Sequence, residues 1–167
     1  KLSLTAAAHK YRLLVNNHYK ETIVLNKTQI LESLSAMLTD DQINTNSEDL
    51  YDAAADRYKK YAKARKVLDV PMPAAIVYPK STDEVAKLLV FCNENRINVI
   101  PRAGKTATEG GLENWKELTL VIDTLYLDKI IKIDEYNMQA TVQAGVALQT
   151  LEDELLKLGY TTGHSPQ

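Results

Sequence analysis

The stretch Val99-Ile100-Pro101-Arg102-Ala103-Gly104-Lys105-Thr106-Ala107-Thr108-Glu109-Gly110-Gly111 is a short apolar run closed by proline, followed by a loop of small residues that ends in two adjacent glycines. Small side chains let backbone N–H groups come close to an anion, and glycine adds access to positive φ. The loop reads as a cradle for a pyrophosphate. The residues before it place it in a fold. Ala74-Ala75-Ile76-Val77-Tyr78 is nearly all apolar and flanked by prolines, as in a strand buried on both faces. Ser81-Thr82-Asp83-Glu84 has the form of a capping box, Ser81 with Glu84, and opens a helix. Val85, Leu88, Leu89 and Cys92 form its apolar face, and Asn93-Glu94-Asn95-Arg96 ends it. Residues 97–100 make the next strand. Strand, helix and strand of this length form a βαβ unit with parallel strands and a right-handed crossover. The loop therefore lies at the carboxyl end of a parallel strand, where open α/β sheets bind ligands.

Beyond the loop, Leu118-Thr119-Leu120-Val121-Ile122-Asp123 is a third strand. Residues 130–134 and 139–144 alternate as a hairpin, with Glu135-Tyr136-Asn137 at its turn. Gly145 ends the second of these strands. Residues 147–157 form a helix with Leu148, Leu151, Leu155 and Leu158 on one face and Gly159 as its C-cap. Tyr160-Thr161-Thr162-Gly163-His164-Ser165-Pro166-Gln167 is a second small, polar loop.

Before the first strand the periodicity is helical. Leu4, Ala7, Ala8, Tyr11, Leu14 and Val15 mark one face of a helix over residues 3–19. His9 and His18 fall in it at a separation that fits no local metal-ligand spacing, so they read as ordinary helix histidines. A second helix begins at Lys27 or Thr28 and carries Ile30, Leu31, Leu34 and Met37; Asn26-Lys27-Thr28, formally a glycosylation acceptor, reads as unmodified. Ser47 is the expected N-cap of a third helix, with Glu48 and Asp49 in the first turn and a stripe of Leu50, Ala53, Ala54, Tyr58 and Tyr61. Its basic second half (Arg57, Lys59, Lys60, Lys63, Arg65, Lys66) reads as a solvated surface rather than a nucleic-acid face. The pair Asp56-Arg57 is placed to anchor a neighbouring loop. Val70-Pro71-Met72-Pro73 is a hard stop. It divides an N-terminal helical extension, residues 1–72, from a domain over residues 73–167.

The bulk numbers exclude several classes. The 167 residues suffice for one domain with a real core or two small subdomains. A net charge of −2 gives no electrostatic case for nucleic acid or an anionic membrane. Cys92 is the only cysteine, which rules out an intrachain disulfide and leads to the expectation of a reducing, cytoplasmic setting. No apolar run approaches the ~20 residues of a membrane span. The sequence starts without Met and stops in what reads as mid-loop, so the expectation is a fragment.

Two phosphate motifs compete for the loop. Gly104-Lys105-Thr106 matches the tail of a P-loop, but the glycine required five positions earlier is Val99, inside the strand, and Gly110-Gly111 interrupts the helix that must start at the lysine. The G-x-G-x-x-G dinucleotide turn is absent. A glycine loop without function is the remaining alternative on these residues alone.

The order of elements and the wording of three stretches add a resemblance. Pro73-Ala74-Ala75-Ile76-Val77-Tyr78-Pro79-Lys80-Ser81-Thr82-Asp83-Glu84-Val85, then Val99-Ile100-Pro101-Arg102-Ala103-Gly104-Lys105-Thr106-Ala107, then Ala140-Thr141-Val142-Gln143-Ala144-Gly145-Val146 together resemble the FAD-binding module of the vanillyl-alcohol oxidase and para-cresol methylhydroxylase (PCMH) superfamily. The likeness covers about residues 49–167. The ending Thr161-Thr162-Gly163-His164-Ser165-Pro166-Gln167 is most similar to the branch of alkyldihydroxyacetonephosphate synthase, with glycolate oxidase and D-lactate dehydrogenase as cousins.

The resemblance implies an α+β fold, a PCMH-type FAD-binding domain of two small α/β subdomains. It implies FAD held with its pyrophosphate on Pro101, Arg102, Ala103, Gly104, Lys105, Thr106 and Ala107. The family has glycines where Ala103 and Lys105 stand, and a serine where Ala107 stands. Lysine resists the positive φ that glycine accepts, and in compensation brings a cation; Thr106 or Thr108 can supply the missing hydroxyl. Some members tether FAD through a histidine at the position of Thr106, so here the cofactor is expected to be non-covalent. A second flavin-contacting stretch begins about Gln167. The implied chemistry is oxidation of a small 2-hydroxy acid, the alcohol carbon giving a hydride to the flavin, with base and substrate groups in a cap domain of the same polypeptide beyond Gln167. No catalytic residue falls in this chain on that reading, and no metal site. The alternatives are FAD-dependent alkyl transfer of the alkyldihydroxyacetonephosphate synthase kind, and a scaffold without catalysis.

Overall fold

The computed structural model describes residues 25–56 and 70–164. The helix expected over residues 3–19, its two histidines, Tyr58, Tyr61, the basic run after Asp56 and Gln167 lie outside the described residues. The elements run α1 (Lys27–Ser35), a 3-10 turn (Asp40–Gln42), β1 (Ile43–Asn44), α2 (Ser47–Ala53), β2 (Ala75–Val77), α3 (Thr82–Glu94), β3 (Val99–Arg102), β4 (Leu120–Asp123), β5 (Ile130–Asp134), β6 (Gln139–Val142) and α4 (Leu148–Lys157). They form a mixed α and β fold with two sheets, as the resemblance implied.

The first sheet has the order β1-β2-β4-β3. β2 and β3 are parallel, as a βαβ unit requires, but they are not neighbours: β4 lies between them and is parallel to both. The reason is burial. Every residue of β4 is buried, so the central position excludes water from both of its faces. Side chains alternate across the sheet. Ala75, Val77, Leu120 and Ile122 face one way, onto Ile30, Leu34 and Leu38 from the α1 side and Leu88 and Cys92 of α3. Ile76, Ile100 and Val121 face the other way, onto Leu50 and Ala53 of α2 and Leu112 of the long loop between β3 and β4. A strand with period two thus feeds two cores. Each large aliphatic side chain removed from water here contributes roughly 1.5–3 kcal/mol.

Local signals decide the ends of the elements. Asn26 caps α1 through a reciprocal capping box with Gln29. For α2 the cap is Asn46, one residue before the expected Ser47; its side-chain oxygen accepts from the amides of Glu48 and Asp49. In α3 the Ser81 hydroxyl accepts from the Glu84 amide as expected. Glu84 does not reach back to Ser81: its carboxylate accepts from the Lys80 amide and from Nε2 of the buried Gln42. Gln42 also donates to the Tyr78 carbonyl, which ties β1 to the end of β2. α3 ends on Arg96 at φ 55, and the amide of Ile97 donates to the carbonyl of Cys92. Cys92 is a core residue, and burial pushes its thiol up to about 11.

The second sheet is the antiparallel pair β5-β6. It is joined to the first through the turn after β4. The Gly145 amide donates to the Leu127 carbonyl, the Leu127 amide to the Thr124 carbonyl, and the Gln143 amide to the Lys129 carbonyl. α4 closes with Gly159 at φ 82 and paired bonds from the Gly159 and Tyr160 amides to Leu156 and Leu155, a Schellman ending. Among the described residues no helix is long and apolar enough to cross a membrane.

Candidate functional site

β3 is the edge strand of the first sheet, and its register with β4 places Pro101 opposite Ile122 and Arg102 opposite Asp123. The amides of Leu120 and Thr124 donate to the carbonyls of Asn98 and Arg102, so the even-numbered residues of β3 face β4. The nitrogen of Pro101 therefore points to the open edge, where no neighbour needs a donor. Pro101 has no N–H to offer an anion; its contribution is to fix φ as the chain leaves the strand.

Arg102 turns its side chain inward. Its Nε donates to Oδ2 of Asp123 at 2.6 Å, with Arg102 5% and Asp123 2% exposed. Oδ1 of Asp123 accepts from the Leu125 amide at 3.0 Å. This cross-strand pair locks the carboxyl ends of β3 and β4 together immediately before the loop begins. The guanidinium thus braces the loop from below, and Asp123 is a residue that the sequence reading did not single out. Its signal was a lone acid closing an apolar strand.

Residues 103–107 follow. Ala103, Gly104, Lys105 and Thr106 are exposed and Ala107 is half-buried. Among the described residues their amides donate no hydrogen bond. Exposed amides in series, at the carboxyl end of a parallel strand, are a set of donors that an anion can use. Lys105 takes φ 57, the left-handed region that glycine normally occupies. Lysine there holds the backbone that a glycine loop would adopt, at a cost of about 1–2 kcal/mol for an L-residue. Arg96, Leu118 and Met138 take the same region elsewhere, so the strain at Lys105 shows a backbone held by its context. The donor set therefore fits a pyrophosphate. Thr106 and Thr108 flank the amides with hydroxyls; Thr108 is turned to Glu109, at 3.4 Å.

The loop is pinned at its far end as well. The Gly110 amide donates to Oδ2 of the buried Asp56 at 2.5 Å, and the Asn114 amide to the Ala54 carbonyl at 2.9 Å. The anchoring expected of the Asp56-Arg57 pair is seen for Asp56; Arg57 lies outside the described residues.

The second polar loop lies beside α4. Thr161 Oγ1 and the Thr162 amide both donate to Glu152, and these bonds hold its carboxyl below the usual carboxylate range. Gly163 takes φ 65, which turns the chain outward. Among the described residues no group of three or more His, Cys, Asp or Glu side chains is arranged to hold a metal ion.

Comparison with known proteins identifies the family. The sequence profile of the family described as "FAD binding domain" matches residues 73–167. The FAD-linked oxidoreductase YgcU of Escherichia coli (strain K12), itself uncharacterized, is 42% identical over 143 residues, which are 86% of this chain and 30% of that protein. The mitochondrial D-lactate dehydrogenase [cytochrome] of Kluyveromyces lactis is 33% identical over 141 residues, 81% of this chain and 24% of the relative. Among solved structures, an alkyldihydroxyacetonephosphate synthase superposes with a TM-score of 0.76 at 24% identity, over 85% of this chain and 27% of that one, a likeness of fold. The chain thus spans less than a third of the length of these relatives. With a profile matching residues 73–167, more than half of its length, the chain belongs to the FAD-binding-domain family.

Proposed function

We propose that this chain supplies the pyrophosphate-binding half of a flavoenzyme that oxidises a small 2-hydroxy acid of the D-lactate or glycolate class. The observation that carries the reading is the row of open amides at Ala103, Gly104, Lys105, Thr106 and Ala107 on the carboxyl end of β3. When bound, FAD supplies the redox chemistry, accepting two electrons from the alcohol carbon. The chain's own residues bind and orient. The amides donate to the phosphate oxygens, the Arg102–Asp123 pair fixes where the row begins, and Asp56 fixes where it ends. Lys105 adds a cation to the same surface. Thr106 stands where covalent attachment would need a histidine, so binding is non-covalent. The segment beginning about Gln167 adds a second contact to the flavin, and the substrate-binding groups belong to other parts of the polypeptide, in a cap domain. Oxidation is favoured over alkyl transfer by extent of alignment: the relative named as a D-lactate dehydrogenase aligns with 81% of this chain at 33% identity, the relative named as an alkyldihydroxyacetonephosphate synthase with 57% at 36%.

The experiment is turnover by the full-length protein after reconstitution with FAD. D-lactate or glycolate is expected to reduce a dye acceptor. Exchange of the acyl group of acyl-dihydroxyacetonephosphate, with no dye reduction by any 2-hydroxy acid, would replace this reading with alkyl transfer.

Lys105→Gly separates the roles of that side chain. Relief of a left-handed lysine returns about 1–2 kcal/mol, while glycine's extra freedom in the unfolded chain costs roughly 0.5–1 kcal/mol. Stability is therefore expected to rise by no more than about 1.5 kcal/mol. FAD affinity is expected to fall several-fold at low salt and to converge with wild type as salt screens the ammonium. Identical salt dependence of the two proteins would show that Lys105 points away from the phosphates.

A further inference from the structure

We propose that Asp56 is a positioning residue for the pyrophosphate loop, acting from a part of the chain that precedes the matched domain, 73–167. The inference rests on the reading of residues 103–107 as the FAD cradle. The loop has two ends and a bare middle. Its start is held by the Arg102–Asp123 pair. From residue 103 to residue 109, no amide has an acceptor among the described residues. The next amide, Gly110, donates to Oδ2 of Asp56 at 2.5 Å, and Gly110 takes φ 88 to make the approach. A span with no internal backbone bonds has its shape set by its two ends, so the Asp56 bond is a determinant of the cradle's curvature.

The anchor is itself firmly placed. Asp56 is 3% exposed and follows α2, whose Leu50 and Ala53 pack on Ile76, Ile100 and Val121 of the sheet. Leu112, two residues past Gly110, sits in that same cluster. Asn114 reinforces the contact: its amide donates to the Ala54 carbonyl and its Nδ2 to the Pro71 carbonyl at 2.7 Å. The segment before residue 73 thereby reaches the cofactor loop directly, and it does so through a carboxyl group, which accepts a shorter and stronger bond than a neutral oxygen. Without it the loop must be ordered when the cofactor binds, at the expense of affinity.

The test measures FAD affinity and melting temperature of the full chain for wild type, Asp56→Ala, Asp56→Asn and Gln42→Ala. Gln42→Ala removes the bonds from the 3-10 turn to Tyr78 and Glu84, away from the loop, and serves as the measure of plain destabilisation. Asp56→Ala is expected to weaken FAD binding about tenfold, Asp56→Asn to recover most of that because its carbonyl still accepts from Gly110, and Gln42→Ala to leave affinity unchanged although its melting temperature falls. Affinity that follows melting temperature alike in Asp56→Ala and Gln42→Ala, or that stays at the wild-type value in Asp56→Ala, overturns the positioning role and leaves the FAD reading standing. A wild-type chain that binds no FAD overturns both. If Asp56→Ala does not fold, amide exchange in the wild type decides: a protected Gly110 beside freely exchanging residues 103–107 is expected, and a Gly110 that exchanges as fast as they do refutes the anchor.

Discussion

Asp123→Ala is expected to lower the free energy of unfolding by about 3–5 kcal/mol, the cost of removing one partner from a buried ion pair. The pair is Arg102 Nε to Asp123 Oδ2 at 2.6 Å, in direct register across β3 and β4, with 5% and 2% of the two residues exposed. The substitution leaves a guanidinium in a site that water barely reaches. It also strips the Leu125 amide of its acceptor. The magnitude says nothing in favour of the pair as such, since two apolar residues of matching volume can replace a buried pair at little cost. The double variant Arg102→Met with Asp123→Leu is therefore expected to recover most of the loss. Urea unfolding of wild type, Arg102→Met, Asp123→Leu and the double variant checks this as a double-mutant cycle, with Asp123→Ala measured alongside. A loss below about 1 kcal/mol for Asp123→Ala would mean that solvent screens the pair as it does a surface bridge.

Gly145→Val is the second large effect. A Cβ on Gly145 falls 1.9 Å from the carbonyl oxygen of Thr124 and 2.9 Å from that of Leu127. Both are backbone atoms of the turn after β4, so no side chain can swing away. Moving the turn also breaks the bond from the Gly145 amide to Leu127. Overpacking generally costs about 1–3 kcal/mol, and a clash against rigid backbone belongs at or above the top of that range. The damage is expected to be local in structure: the β5-β6 hairpin and α4 lose their seat, while the β1-β2-β4-β3 sheet retains its core. Hydrogen exchange by segment is the measurement. Equal loss of protection in Ile76 and Val121 would show that the two sheets unfold as one unit.

These two sites show how far the sequence carries the structure. The strands around Ile76, Ile100 and Val121 were legible because short, mainly apolar runs, separated by a capped helix and a glycine loop, fit strands covered on both faces. The hairpin and α4 were legible from alternation and from the leucine spacing closed by Gly159. The order of the strands was not: β2 and β4 are both apolar runs, and nothing local says which of them takes the centre. Register was hidden for the same reason, so Asp123 could not be matched to Arg102, and Arg102 was read as a cofactor contact when its side chain faces the sheet. At α2, Asn46 and Ser47 have nearly equal capping propensity, and the Asn44 side chain that accepts from the Asn46 amide tips the balance. Glu84 was drawn from Ser81 by Gln42, a partner delivered by the 3-10 turn before β1. Lys105 was the least legible residue of the loop, because propensity places glycine or asparagine in the left-handed region and a lysine there is set by its context.

The central claim is that the amides of Ala103, Gly104, Lys105, Thr106 and Ala107 hold the pyrophosphate of FAD. Backbone amide chemical shifts of the isotope-labelled chain, followed in parallel titrations with FAD, ADP and riboflavin, test it most directly. FAD and ADP are expected to move the five resonances together, while riboflavin, which has no phosphate, leaves them in place. Five resonances that stay fixed at saturating FAD, or that respond equally to riboflavin, would contradict it.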